Sequence, residues 1–271
     1  MKLTTPMLRP CIFLLLIIVL FTGCKNKTVS TQANLIPLRH AVADSLNGTW
    51  MPEEYLLTVE QTKSIWKARD VNFSFFTFWL DKENLMSDSA ILSGATEHEG
   101  GYLAYLQYDS TTGRFINNLN TGTGEPYIDE PFELRLIDSN RLEIFFTNSN
   151  TREVYRRVKD AQYALSSALI AGAYEDLSDH TVVVFHPDGK VESGWKEDHY
   201  ALIFDFMEGI DFDAIELYNE NESSSEFLNN LYHFAFSGDT LRLYSASDPL
   251  GTFQYQISNK PYKVLVRQRA L

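Results

Sequence analysis

Hydrophobic and polar positions alternate in short runs over much of this chain. Phe132, Leu134 and Leu136 point one way in such a pattern, Asp138-Ser139-Asn140 supplies a polar turn, and Leu142, Ile144 and Phe146 return, followed by Val154, Arg156 and Val158. Period-two runs on both sides of a short polar turn predict an antiparallel hairpin. The C-terminal end repeats the arrangement. Phe234 and Phe236 lead to a turn at Gly238-Asp239, Leu241, Leu243 and Ser245 return, and Phe253-Tyr255-Ile257 and Tyr262-Val264-Val266 follow as further strands.

The openings of the two regions match as well. Leu46-Asn47-Gly48-Thr49-Trp50 begins the first and Ile170-Ala171-Gly172-Ala173-Tyr174 begins the second. A glycine two residues before a large aromatic, with a hairpin and one more strand at the end, predicts an internal duplication. The predicted all-β modules cover residues 45–159 and 169–271, joined by 159–168. Their lengths differ: Gly48 precedes Leu142 by 94 positions, whereas Gly172 precedes Leu241 by 69. Part of the excess is a helix predicted over 52–68. Pro52 suits a first helical turn, Glu53 and Glu54 complement the positive helix end, and Tyr55, Val59, Thr62 and Trp66 recur at helical spacing. Such a helix can cap one end of a barrel. The run from Asn72 to Trp79 places aromatics on both faces of one strand, one face for a barrel lumen and the other for a covering element.

The N-terminus breaks the pattern. Lys2 and Arg9 precede an unbroken apolar run over 11–21, and Phe21-Thr22-Gly23-Cys24 follows. That run has 11 residues, whereas a spanning helix takes about 20. It is read as an export signal that is removed. Phe21-Thr22-Gly23-Cys24 resembles a bacterial lipobox, with Phe21 where leucine is usual. The resemblance implies cleavage before Cys24 and a lipid on its thiol, with palmitate among the acyl chains. The expected organisation is therefore a signal peptide over 1–23, a lipidated flexible tether over 24–44, and the two modules. No acidic cluster follows Cys24, where Lys25-Asn26-Lys27-Thr28 stands. In lipoproteins of Gram-negative gut anaerobes an acidic run there resembles a surface-export signal, so the expected location is the outer membrane, lipid-anchored and facing the periplasm.

Charge narrows the partners. Residues 1–23 carry two basic and no acidic side chains, so their removal leaves 248 residues and takes the formal charge from −13 to −15. Nucleic acid is a poor partner for such a chain, because phosphate contacts need clustered Lys and Arg. The one local basic cluster is Arg152, Arg156, Arg157 and Lys159. Anionic headgroups repel the chain too, so the acyl chains must supply membrane attachment. Cys24 is the last cysteine, which excludes disulfides, zinc thiolates and cysteine nucleophiles from the folded part.

Gly48-Thr49-Trp50 resembles the glycine-x-tryptophan that opens the first strand of lipocalins. Pro52-Glu53-Glu54-Tyr55-Leu56, Thr62-Lys63-Ser64, His98-Glu99-Gly100 and Asp188-Gly189-Lys190-Val191 are similar to segments of two-module lipocalin-like lipoproteins of Gram-negative gut anaerobes. The resemblance implies an all-β chain of two tandem small antiparallel lipocalin-like β-barrels, the first with a capping helix. It assigns no functional residue.

Candidate chemistry is sparse. Among the six histidines no His-x-x-x-His pair occurs, no Gly-x-Ser-x-Gly is present, and no glycine-rich loop opens a helix. His98 and Glu99, beside Gly100-Gly101, suit either a ligand-binding barrel mouth or a polar turn between strands at 90–95 and 102–108. Asp205, Glu208, Asp211, Asp213 and Glu216 form an acidic stretch without the regular loop pattern of a calcium site, and read as a solvated face. No metal and no cofactor are expected. Ser45, Ser89, Ser110 and Thr240 stand in Asp-Ser/Thr-apolar tripeptides that look like acceptors for periplasmic O-glycosylation; Asp-Ser and Asp-Thr also favour turns. The expected role is a non-catalytic binding or interaction module for a small hydrophobic or glycan ligand or for an envelope protein. The alternatives are a structural subunit of an envelope complex and a carboxylate-dependent hydrolase.

Overall fold

Eight strands close the first barrel. They are β1 (Gly48–Pro52), β2 (Thr77–Leu80), β3 (Ala90–Ala95), β4 (Gly101–Asp109), β5 (Arg114–Asn117), β6 (Phe132–Asp138), β7 (Arg141–Phe146) and β8 (Thr151–Val158). Each pairs antiparallel with the next, and β8 returns to β1. The computed structural model describes residues 38–95, 101–117, 130–206, 209–220 and 230–268.

The second barrel uses β9 (Gly172–Asp176), β10 (Val182–Phe185), β11 (Val191–Glu192), β12 (His199–Ile203), β13 (Ala214–Tyr218), β14 (Leu231–Ser237), β15 (Thr240–Ser247) and β17 (Lys263–Arg267), with β16 (Gln256–Ile257) added on β15. The order is β11-β10-β9-β17-β15-β14-β13-β12. Its ends meet at one bridge, Lys190 with His199, where Val191 N–H donates to Asp198 O at 2.7 Å and Tyr200 N–H to Gly189 O at 2.6 Å. Gly189 has φ +91°, and a Cβ there would lie 2.9 Å from Tyr200 O, so this seam needs a glycine.

The expected all-β class with two antiparallel barrels is what the structure has. Both barrels close by the same pairing, first strand against last, with Trp50 opposite Arg157 and Tyr174 opposite Arg267. A short helix leads into each: α1 (Arg39–Leu46) before β1 and α4 (Ala161–Leu169) before β9. Two more helices, α2 (Glu53–Thr62) and α3 (Lys82–Met86), follow β1 and β2.

The capping helix of the first barrel is α1, which starts within the stretch expected to be tether. Ala43 and Leu46 are buried in the first core, and Leu46 O accepts Trp50 Nε1–H at 3.0 Å. The helix expected over 52–68 is shorter than its apolar spacing suggests. Pro52 ends β1, α2 stops at Thr62 because Lys63 turns left-handed (φ 53°), and a 3₁₀ turn occupies Trp66–Asp70. Tyr55, Leu56 and Val59 of α2 belong to the cluster that holds the second barrel's core and do not cover Trp50.

Phe75 and Phe78 fill the first barrel beside Trp50, Phe115, Phe132 and Tyr155, whereas Phe73 and Phe76 turn to Tyr55 and Phe204. That aromatic run is strand only from Thr77 onward, where β2 begins. The two barrels are thus joined by a shared apolar layer as well as by the chain, within one compact unit over 36–271. A polar clamp adds to it. The Asp213 carboxylate accepts Ser64 Oγ–H at 2.6 Å and Trp66 N–H at 2.8 Å, while Trp66 packs edge-on against Phe206 at 4.9 Å.

Candidate functional site

Arg156 and Val158 lie on the outer side of β8, since alternation puts them opposite the face of Tyr155, the buried residue of that strand. The chain leaves β8 through Lys159, and Asp160 starts α4 by accepting Tyr163 N–H at 2.6 Å. Leu165 and Leu169 pack inward, which turns Tyr163 and Ser167 to the opposite side. Tyr163 and Ser167, four apart, form one row on α4, and Lys159, just ahead of the helix, brings its ammonium over the Tyr163 ring. Across from this row α2 presents Leu56 and Glu60, also four apart.

Between α2, β8 and α4 lies a groove of about 330 Å³. Leu56, Val158, Ala164 and Ala168 make its apolar floor, and Arg156, Arg157, Lys159 and Glu60 stand around it. The cations differ in how they are used. Arg156 pairs with Glu60 at 3.0 Å and Glu53 at 3.7 Å. Arg157 is committed to carbonyl oxygens of Ser45, Asn47 and Ser139, and its partial burial lowers its pKa. Lys63 donates to Ala168 O at 3.0 Å and ties the ends of α2 and α4 together. Lys159 has its ammonium 4.8 Å from the Tyr163 ring centre and, among the described residues, no carboxylate within 4.0 Å. The arrangement can hold an anionic group next to an apolar one.

The basic cluster seen in the sequence is divided in space. Arg156, Arg157 and Lys159 reach the groove, while Arg152 lies 3.5 Å from Glu143 and over the Phe145 ring at 5.3 Å. What sequence reasoning misses is α4, which occupies most of the joining segment expected over 159–168. Its signals are present: an Asp160 cap, Ala161-Gln162 as a favourable first turn, and Leu165 and Leu169 at spacing four.

Cys24, His98 and Glu99 lie outside the described residues. The four hydroxyl acceptors fall in different settings. Ser89 and Ser110 are exposed in turns, and Thr240 opens β15. Ser45 is inside α1 with its hydroxyl on Ala41 O at 2.8 Å. In the turn holding Ser110, hydrogen bonds from Thr111 and Thr112 pull the Asp109 pKa to about 2. Asp211 and Asp213 do not share a strand, because β13 starts at Ala214, and Asp213 is spent on the clamp to Ser64 and Trp66. Among the described residues no group of three or more His, Cys, Asp or Glu could hold a metal ion, and no helix is long and apolar enough to cross a membrane. No protein family, curated protein or solved structure matches this chain.

Proposed function

We propose that this chain is a non-catalytic binding or interaction module, anchored by an acylated Cys24 to the outer membrane and facing the periplasm. One observation carries the reading: the side chains of each barrel fill its own interior, whereas apolar and cationic groups stand together in the groove outside. Trp50, Phe75, Phe78, Phe115, Phe132 and Tyr155 in the first barrel, and Tyr174, Phe185, Tyr200 and Phe234 in the second, are at most 1% exposed. A ligand or partner therefore meets the outside of the barrels. Glu60, the carboxylate that lines the groove, pairs with Arg156, which supports binding over acid–base turnover.

A second reading, a structural subunit of an envelope complex, draws on Trp79 and Leu103. They are 48% and 57% exposed and lie in one row across β2, β3 and β4 through Ser93. Exposed apolar rows of this kind suit a protein partner.

Fractionation tests the address, and a thermal-shift screen tests the role. Cys24→Ala should move the protein from the membrane to the soluble fraction; retention at moderate salt would sink the lipoprotein reading. Lipids, bile acids and glycans are then screened against the Cys24→Ala chain, where a ligand at a hundredfold excess over its Kd adds about 2.7 kcal/mol of stability. If none shifts Tm and a pull-down recovers one stoichiometric envelope protein, the subunit reading takes over. Ester or glycan turnover abolished by a single Asp or Glu substitution would overturn both.

A further inference from the structure

We infer that the groove between α2 and α4 takes a small amphipathic carboxylate with a single alkyl tail, its head on Lys159 and its tail over Leu56, Val158, Ala164 and Ala168. The inference rests on the binding-module reading and adds the class of ligand.

Three features of the groove converge on that chemistry. The first is charge. Arg156 is balanced by two glutamates and Arg157 is taken up by carbonyls, so Lys159 is the groove cation left to meet an anion. The second is hydrogen bonding. The hydroxyls of Tyr163 and Ser167 make no hydrogen bond among the described residues, and both residues line the groove with Lys159. Two hydroxyls and an ammonium lining one groove suit the acceptor oxygens of a carboxylate.

The third feature is size. About 330 Å³ is at the lower end of the roughly 300–1,000 Å³ typical of ligand sites, which fits one tail and leaves little room for a two-tailed phospholipid. The formal charge of the mature chain opposes approach of an anion from a distance. That repulsion is screened beyond about 8 Å at physiological salt, whereas Lys159 acts at contact. The local cation therefore decides whether the anion stays.

Titration calorimetry of the mature Cys24→Ala chain with dodecanoate tests this, since no acyl chain of its own competes. The expected result is one-to-one binding, with methyl dodecanoate and dodecyltrimethylammonium at least tenfold weaker and acetate silent. Lys159→Gln, at an exposed position, should weaken dodecanoate at least tenfold with Tm unchanged. Ser167→Trp, also exposed, should block the groove and abolish binding. Equal affinity for the acid and its methyl ester, or an unchanged affinity in Lys159→Gln, would overturn the inference. So would flotation with phosphatidylcholine–phosphatidylglycerol vesicles that Ser167→Trp removes while free dodecanoate fails to compete, since a lipid surface would then be the occupant. Failure of dodecanoate to bind removes this ligand class alone. Hydrolysis of the methyl ester, lost in Glu60→Gln, would instead remove the non-catalytic reading.

Discussion

The Arg157 guanidinium lies over the Trp50 ring, 4.4 Å from its centre, where the last strand of the first barrel meets the first. Arg157 also donates to Ser45 O at 2.5 Å and to Asn47 O, carbonyls at the end of α1 that have no partner within the helix. One side chain thus closes the barrel, covers its aromatic plug and caps its leading helix. Arg267 does the same in the second barrel, 5.0 Å over Tyr174 and 2.9 Å from Leu169 O. Gly48 and Gly172 have φ of +142° and +147°, and a Cβ there would lie 2.8 and 3.3 Å from the respective arginine Nη1. The glycine, the aromatic and the arginine are therefore one unit, repeated.

Trp50→Ala should lower unfolding free energy by about 3–5 kcal/mol, the usual cost of truncating a large buried aromatic. Trp50 is fully buried and its indole N–H is bonded to Leu46 O, so the substitution leaves both a cavity and an uncapped carbonyl. Denaturant titration measures the loss. A change below about 1 kcal/mol would mean that α1 and Arg157 do not seal this end.

Gly94 is tied to Tyr102 in a way that can be tested by a double mutant. A Cβ at Gly94 would run into the Tyr102 phenol, whose hydroxyl donates to Thr77 O at 2.9 Å while its ring packs on Phe75. Gly94→Ala should cost about 1–3 kcal/mol by overpacking. Tyr102→Phe removes the oxygen that the methyl meets first, so the two substitutions should be less than additive in equilibrium unfolding. Full additivity would show that Tyr102 is not over Gly94.

These pairings explain which parts of the fold were legible in the sequence. Alternation located the hairpins, and the register puts Leu134 opposite Ile144 and Phe234 opposite Leu243. It misassigned the phase of two closing strands. Tyr155 points inward on β8 where Val154, Arg156 and Val158 were expected, and Leu265 points inward on β17 where Val264 and Val266 were. Outward Val158 is itself packed against the layer shared with α2 and α4, so both faces of β8 are apolar and alternation alone cannot choose. Leu136 likewise lies outside the core, next to the point where the β6–β7 register shifts between Leu136 and Asp138. The groove was legible only as a basic cluster, because α2 and α4 bring its walls together from positions about a hundred residues apart.

Acid should weaken the second barrel through Asp176. This carboxyl is fully buried, which opposes ionisation, but hydrogen bonds from Lys263 Nζ at 2.6 Å and from the Ser178 N–H and hydroxyl prevail and lower its pKa. A folded pKa below the unfolded value of about 3.9 means the stabilisation is complete above that pH and is lost as pH falls through the folded value. Asp176→Asn should therefore flatten the acid limb of a stability–pH profile below about pH 4. At neutral pH it should also cost about 3 kcal/mol or more, because Lys263 is left largely buried without its partner. An unchanged acid limb would show that other carboxylates govern it.

The start of the second module can be fixed by comparing fragments 169–271 and 160–271. The longer one keeps α4, whose Leu165 and Leu169 are fully buried and whose Gln162 Oε1 accepts Leu202 N–H at 3.3 Å beside the seam between β11 and β12. A buried leucine is worth about 1.5–3 kcal/mol relative to an exposed one, so losing α4 removes a large share of a small domain's stability. Fragment 160–271 should melt cooperatively and 169–271 should melt lower or not fold. Both should fall short of the intact chain, because Tyr55, Val59 and Phe76 of the first half pack in the same cluster as Phe185, Tyr200 and Leu217. Equal melting of the two fragments would mean that α4 serves only as a connector, and a second barrel as stable alone as in the whole chain would mean that the shared layer contributes nothing.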